Sequence, residues 1–274
     1  MTDASPRERM IIDTHVHLLD PAQFPYPEPT TGYRPSQDEN ASLDDLRGVM
    51  EAHGVSAAVL VAASVYGADN ASLIAALAAE PDRLRVIVGC DPEDPGALNA
   101  LARIPGVAGV RLNLTDDGAF AGGTERLRRL VARIGGLGLI ACIQASPAAA
   151  LAVIGGDGQT PVVLDHLGRP DLAGGLPALR RLAERSNTWL KLSGPFRIGA
   201  AVSGLSDWRR PAPLARAAVD QFQSNRLIWG SDWPFINLAG PRPGYRECLD
   251  WARDLVDAPF AANARGLFWE RRHG

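Results

Sequence analysis

Five short stretches carry side chains whose types and spacing could do chemistry. They are Asp13-Thr-His-Val-His17, Val110-Arg-Leu-Asn113, Leu164-Asp-His-Leu-Gly-Arg-Pro170, Trp189-Leu-Lys-Leu-Ser193 and Trp229-Gly-Ser-Asp-Trp-Pro234. His15 and His17 stand two apart, so on a strand both rings leave the same side, and Asp13 shares that parity. Paired imidazoles can bind a metal, polarise a carbonyl or move protons. His166 adds a third ring, whereas its neighbour Asp165 should turn the other way, toward a helix layer, as a cap or loop anchor. Asp232 supplies a carboxylate suited to taking a proton from water in a hydrolytic step. The other two histidines have ordinary explanations: His53 closes a helix, where its charge suits the dipole, and His273 lies in the tail.

Each stretch includes or directly follows a short apolar run. Eight such runs are expected as strands: Met10–Val16, Ser56–Ala63, Arg85–Cys90, Val107–Leu114, Leu139–Ala145, Pro161–His166, Thr188–Ser193 and Arg226–Gly230. Most are nearly continuous in apolar residues, as strands buried on both faces of a parallel sheet must be. Helical patterns alternate with them. One starts at the N-cap Ser42 and ends at Gly54. Others cover Leu73–Ala79, Ala97–Arg103, Thr124–Ile134, Leu176–Arg185, Leu214–Phe222 and Arg246–Val256, with a weaker one at Ala148–Ile154. Eight β-then-α units in roughly 250 residues predict a single (β/α)8 TIM barrel spanning residues 1–274, with residues 1–10 as a flexible N-terminus. A doubly wound sheet is the competing arrangement, but it usually carries a Gly-rich phosphate loop after its first strand. Here that strand runs into Thr14-His-Val-His-Leu-Leu-Asp-Pro21 instead. The Pro-rich loop within 21–40 is either a lid over the barrel mouth or a plain surface connection.

In such a barrel, function sits at the C-terminal ends of the strands. Those ends gather Asp13, His15, His17, Ser64, Asp91, Arg111, Asn113, Gln144, Asp165, His166, Arg169, Lys191, Ser193, Arg197 and Asp232. The first and eighth strands are neighbours in a closed barrel, so Asp232 should approach His15 and His17. Arg111, Arg169 and Arg197 come from three different strand ends and predict an electropositive mouth for an anionic or oxygen-rich substrate.

Composition narrows the class. Twenty-eight Lys+Arg against 31 Asp+Glu give a formal charge of −3, which lacks the footprint of a nucleic-acid or anionic-membrane partner. The longest apolar run, Val55–Ala63, is far shorter than a membrane span, and the polar opening MTDASPRERM has no apolar signal core. Cys90, Cys142 and Cys248 are odd in number and scattered, which argues against a disulfide framework or a cysteine zinc site. The expectation is a cytoplasmic enzyme or binding domain for a small molecule.

Taken together, the five motifs resemble the amidohydrolase superfamily, and within it the branch of 2-pyrone-4,6-dicarboxylate lactonase and related sugar-lactone hydrolases or isomerases. The likeness runs from Ile11 to Asn263-Ala-Arg-Gly-Leu-Phe268 and includes Phe24-Pro-Tyr-Pro27 and Tyr66-Gly-Ala-Asp-Asn70. It implies a (β/α)8 barrel that hydrolyses a cyclic ester. His15, His17, His166 and Asp232 then correspond to its catalytic set, Arg111, Arg169 and Arg197 to its substrate-binding arginines, and Ser64 and Tyr33 to further polar contacts. Three departures bear on the substrate. A second family arginine is replaced in the Leu114-Thr-Asp-Asp117 region, Gln144 stands where that lactonase has a tyrosine, and Phe235 follows Trp233-Pro234 in place of a histidine. Strand five, Ile140-Ala-Cys-Ile-Gln-Ala145, also lacks the histidine that metal-dependent members use there. The resemblance therefore implies no cofactor, with zinc on His15, His17, His166 and Asp232 as the alternative.

Overall fold

The computed structural model describes residues 10–28, 33–115, 123–169, 175–197, 213–238 and 241–271. Residues 1–9, the centre of the Pro-rich loop, Asp116, Asp117, Pro170 and His273 lie outside them. Eight strands follow one another round a single sheet in chain order, each parallel to the one before. They are β1 Ile11–Val16, β2 Val55–Val61, β3 Leu84–Val88, β4 Val107–Asn113, β5 Ile140–Gln144, β6 Val162–Leu164, β7 Thr188–Leu192 and β8 Leu227–Trp229. The helices among the described residues are α1 Leu43–His53, α2 Ala71–Ala79, α3 Pro95–Ala102, α4 Thr124–Gly136, α5 Pro147–Ile154, α6 Gly175–Ala183, α7 Pro213–Val219, α8 Tyr245–Leu255 and α9 Phe260–Phe268. The (β/α)8 barrel expected from the alternation is the fold observed.

Local chemistry explains where the elements begin and end. Ser42 and Asp45 form a reciprocal cap on α1, with Asp45 N–H donating to Ser42 Oγ at 3.2 Å and Ser42 N–H to Asp45 Oδ2 at 2.9 Å. Gly54 ends that helix in the left-handed region at φ 67°. In α4 the buried residues Leu127, Leu130, Val131 and Ile134 recur at helical spacing, which turns Arg128 and Arg129 outward. The weak pattern at Ala148–Ile154 is α5, whose nearly uniform apolar sequence suits a helix packed against both α4 and α6. Helix α9 was not expected. It packs Ala264, Leu267 and Phe268 against Ile12, Val59 and Ile228 inside the barrel.

The seam between β1 and β8 matters most for position. Thr14 Oγ1 donates to the Trp229 carbonyl at 2.7 Å, Asp232 N–H to the His15 carbonyl at 2.9 Å, and His17 N–H to the Trp233 carbonyl at 2.9 Å. Gly230 permits this approach, since a Cβ there would lie 2.6 Å from Cβ of His15. Asp13 fastens the seam from outside the ring. Its Oδ1 accepts from Ser231 N–H at 2.9 Å and His15 N–H at 3.0 Å, and its Oδ2 accepts from the Tyr245 hydroxyl on α8 at 2.6 Å. The parity argument that grouped Asp13 with the histidine rings is thereby corrected. The β1 register shifts between Asp13 and Val16, and the carboxylate faces the helix layer.

Replacing Asp13 with alanine strands three buried donors and should lower unfolding stability by about 2–5 kcal/mol. Urea unfolding measures this, and a change below about 0.5 kcal/mol, the scale of an ordinary surface substitution, would contradict the clamp.

Candidate active site

The C-terminal mouth of the barrel draws most of the expected residues into two adjoining groups. In the first, Nε2 of His15 and Nε2 of His17 lie 3.5 and 3.6 Å from Oδ1 of Asp232. His166 stands beside His15 with ring centroids 4.9 Å apart, the same separation as between His15 and His17. Arg197 donates through Nε to Oδ2 of Asp232 and through a terminal nitrogen to the Ile236 carbonyl at 3.1 Å. Gly194 lets these groups meet. Its φ is 54°, and a Cβ there would lie 2.8 Å from Nδ1 of His166 and 3.2 Å from Oδ2 of Asp232.

The second group surrounds Arg111. Its guanidinium donates to the Ala62 carbonyl at 2.7 Å, to Ser64 Oγ at 3.3 Å and to Gln144 Oε1, while Asn113 Nδ2 donates to Ser64 Oγ at 3.0 Å. Among the described residues, Arg111 has no carboxylate within ion-pair distance and its buried Nε has no partner. Ser64, Arg111 and Asn113 line a cavity of about 280 Å³ with Cys90 and Asp91. Arg169 follows the turn made by His166–Gly168 and is half-buried at φ 42°. Tyr33 belongs to the outer loop, where its hydroxyl donates to Glu39 Oε2. Glu39 Oε1 in turn accepts from Asn237 N–H at 2.7 Å, which ties that loop to the segment after β8.

Two functional neighbours escaped the sequence reading. Asp165 does not face the helix layer. Asp165 keeps extended backbone and the parity of Val163, which packs in the barrel interior; the break in alternation comes after it, where His166 and Leu167 adopt φ of 53° and 57°. Its Oδ1 lies 2.8 Å from the ammonium of Lys191 and 3.5 Å from Nδ1 of His15. Lys191 appeared among the strand ends without a role. The period-2 signal was present, because Lys191 shares parity with Trp189, which packs with the barrel interior.

Burial and charge set the protonation states. Burial pushes the Asp232 carboxyl up, but its neighbours, the Arg197 guanidinium foremost, more than offset it, holding it well below the usual range. Asp165 behaves likewise, with the Lys191 ammonium overriding burial. Burial pushes His15 well down, helped by Lys191, and pushes His166 down to about 4. The mouth thus combines ionised carboxylates with neutral imidazoles at His15 and His166. Nδ1 of His17 lies 2.7 Å from the Val61 carbonyl, an acceptor, so it carries the ring's N–H. In its neutral form this ring offers a lone pair at Nε2.

One ligand atom each of His15, His166 and Asp232 lie within 4.8 Å of one another, so by type they could hold a metal. The surroundings fit a cation poorly. Asp232 is already matched by Arg197 and Asp165 by Lys191, whose ammonium also lies 3.2 Å from Nδ1 of His15. Zinc–ligand bonds of about 2.0–2.2 Å would also require tighter spacing. Among the described residues, Arg111 is left with no carboxylate at ion-pair distance.

Comparison with known proteins agrees with this architecture. A Comamonas testosteroni 2-pyrone-4,6-dicarboxylate hydrolase is 29% identical over 94% of this chain and 90% of its own. A 4-sulfomuconolactone hydrolase from Rhizobium radiobacter is 32% identical over 84% of this chain and 77% of its own. A Pseudomonas putida structure, provisionally named a 2-pyrone-4,6-dicarboxylic acid hydrolase, superposes with a TM-score of 0.73 at 30% identity, covering 94% of this chain and 96% of its own. The amidohydrolase family model matches residues 12–268. With its eight-stranded barrel and its histidine–aspartate mouth, this chain belongs to the amidohydrolase family.

Proposed function

We propose that this protein is a lactonase, opening the cyclic ester of a small anionic organic acid without a metal. The observation that carries the reading is the meeting of Oδ1 of Asp232, which is buried and has no hydrogen-bond partner among the described residues, with Nε2 of His15 and of His17. Buried polar atoms without partners are costly and concentrate at reacting centres. The lactone hydrolases among its relatives support the reaction class.

Arg111 binds a carboxylate of the substrate and orients the ring, which accounts for a buried guanidinium without a counter-ion among the described residues. Asp232 accepts a proton from water, whose other O–H donates a hydrogen bond to the lone pair of His17 at Nε2 and stays on the attacking oxygen. The water oxygen attacks the ester carbonyl carbon. The imidazoles of His15 and His166 stabilise the oxyanion. His17 does not join them as a donor, because the Val61 carbonyl already takes its N–H. The tetrahedral intermediate then expels the ring oxygen, and Asp232 returns its proton to that oxygen. A guanidinium on Oδ2 weakens Asp232 as a base, so a substrate carboxylate that draws Arg197 away would strengthen it when substrate binds. Arg169, Ser64, Gln144 and Tyr33 complete the rim; Tyr33 reaches it only by leaving Glu39.

The zinc-dependent alternative is favoured by the donor types of His15, His166 and Asp232. One assay separates the two. Chelator-treated wild-type enzyme should hydrolyse anionic lactones at its full rate, and Asp232→Asn should lose about 10³-fold in kcat while still binding substrate. Loss on chelation with recovery on adding zinc, or near-normal kcat in Asp232→Asn, would overturn the reading.

A second prediction concerns pH. His166 takes up its proton near 4 in the folded chain, against 6.5 for an ordinary imidazole. Between those values the unfolded chain holds a proton that the folded chain does not, so stability rises with pH across this window. Tm should climb from pH 4 to 6.5 and climb less steeply in His166→Gln. Equal slopes in the two proteins would contradict a buried neutral ring.

A further inference from the structure

Lys191 is fully buried, yet none of the steps above uses it. Its ammonium lies 2.8 Å from Oδ1 of Asp165 and 3.2 Å from Nδ1 of His15. An ammonium has donors and no acceptor, so the contact with His15 is attractive only where Nδ1 bears a lone pair. Asp165 does not compete well for that nitrogen, since its Oδ1 is 3.5 Å away, beyond a normal hydrogen bond. A neutral imidazole has one N–H, and in His15 that leaves it on Nε2, the nitrogen that faces Asp232.

We propose that Lys191 is a positioning residue that holds His15 in its Nε2–H tautomer, making this ring a fixed hydrogen-bond donor to the reacting carbonyl. His17 is set the opposite way by the Val61 carbonyl. Two rings of the same type, two positions apart on one strand, thus present a donor and an acceptor side by side. Asp165 is the counter-ion that lets the ammonium stay charged in the interior. The catalytic consequence rests on the lactonase reading; the tautomer does not.

Long-range proton–nitrogen NMR on ¹⁵N-histidine-labelled protein tests this, with His15→Gln identifying the signals of His15. Wild-type protein should show His15 protonated at Nε2. In Lys191→Met the proton should move to Nδ1, where Asp165 can accept it, and kcat should fall about 10²-fold. KM should change by less than about threefold, because the interaction lost belongs to the transition state. Protonation at Nδ1 in wild type, or an unchanged tautomer in Lys191→Met, would overturn the proposal. Should that variant fail to fold, Lys191→Arg gives the second arm. It keeps a cation with donors only and leaves Asp165 as its counter-ion, so the Nε2–H form should persist, whereas a proton found on Nδ1 there would defeat the proposal. An Nε2–H His15 in a protein that hydrolyses no lactone would support the tautomer assignment and defeat the lactonase reading alone.

Discussion

The barrel closes at its histidine–aspartate mouth. Between β1 and β8 the described contacts are made largely by His15, His17, Asp232 and their neighbours, so the bonds that complete the ring also fix the proposed catalytic groups. Closure requires that no side chain intervene at Gly230 and that Asp13 hold His15, Ser231 and Tyr245 on one carboxylate. A site built this way inherits the rigidity of the sheet, and pre-organised groups cost little reorganisation during reaction. The reverse also holds: a fault in the seam should disturb fold and site together.

Charge follows a second constraint. Buried ions are tolerated when paired, and the mouth pairs Asp232 with Arg197 and Asp165 with Lys191. Those cations occupy positions from which a metal would otherwise draw its binding strength. Among the described residues, Arg111 has no such partner and stands beside a cavity with Asp91 on its wall. A ligand with a carboxylate for Arg111 and a neutral or hydroxyl-bearing end toward Asp91 suits that lining better than one anionic throughout.

Much of this was legible in the residues. All eight strands could be read because both faces are largely buried and most of the apolar runs are nearly continuous, and their ends located the histidines, the arginines and Asp232. What could not be read has physical causes. Asp13 and Asp165 were assigned faces by simple alternation, which fails for Asp13 at a register shift in β1; Asp165 was counted from His166, whose left-handed turn breaks the parity, whereas Val163 gives its inward face. Lys191 stood among the strand ends without a role, because only the ring of strands brings Asp165 and His15 around it. Helix α9 has no side-chain cap at its start, and its apolar residues make sense only once the barrel end exists to receive them. Tyr33 was matched to a substrate contact by likeness, whereas its hydroxyl here serves Glu39.

A crystal structure of Asp232→Asn soaked with an unreacted anionic lactone would test the central claim most directly. The account predicts the ester carbonyl oxygen within hydrogen-bond reach of Nε2 of His15, and a carboxylate of the ligand on Arg111. A lactone bound with its carbonyl turned from the imidazoles, or held through an ion ligated by His15 and His166, would contradict it.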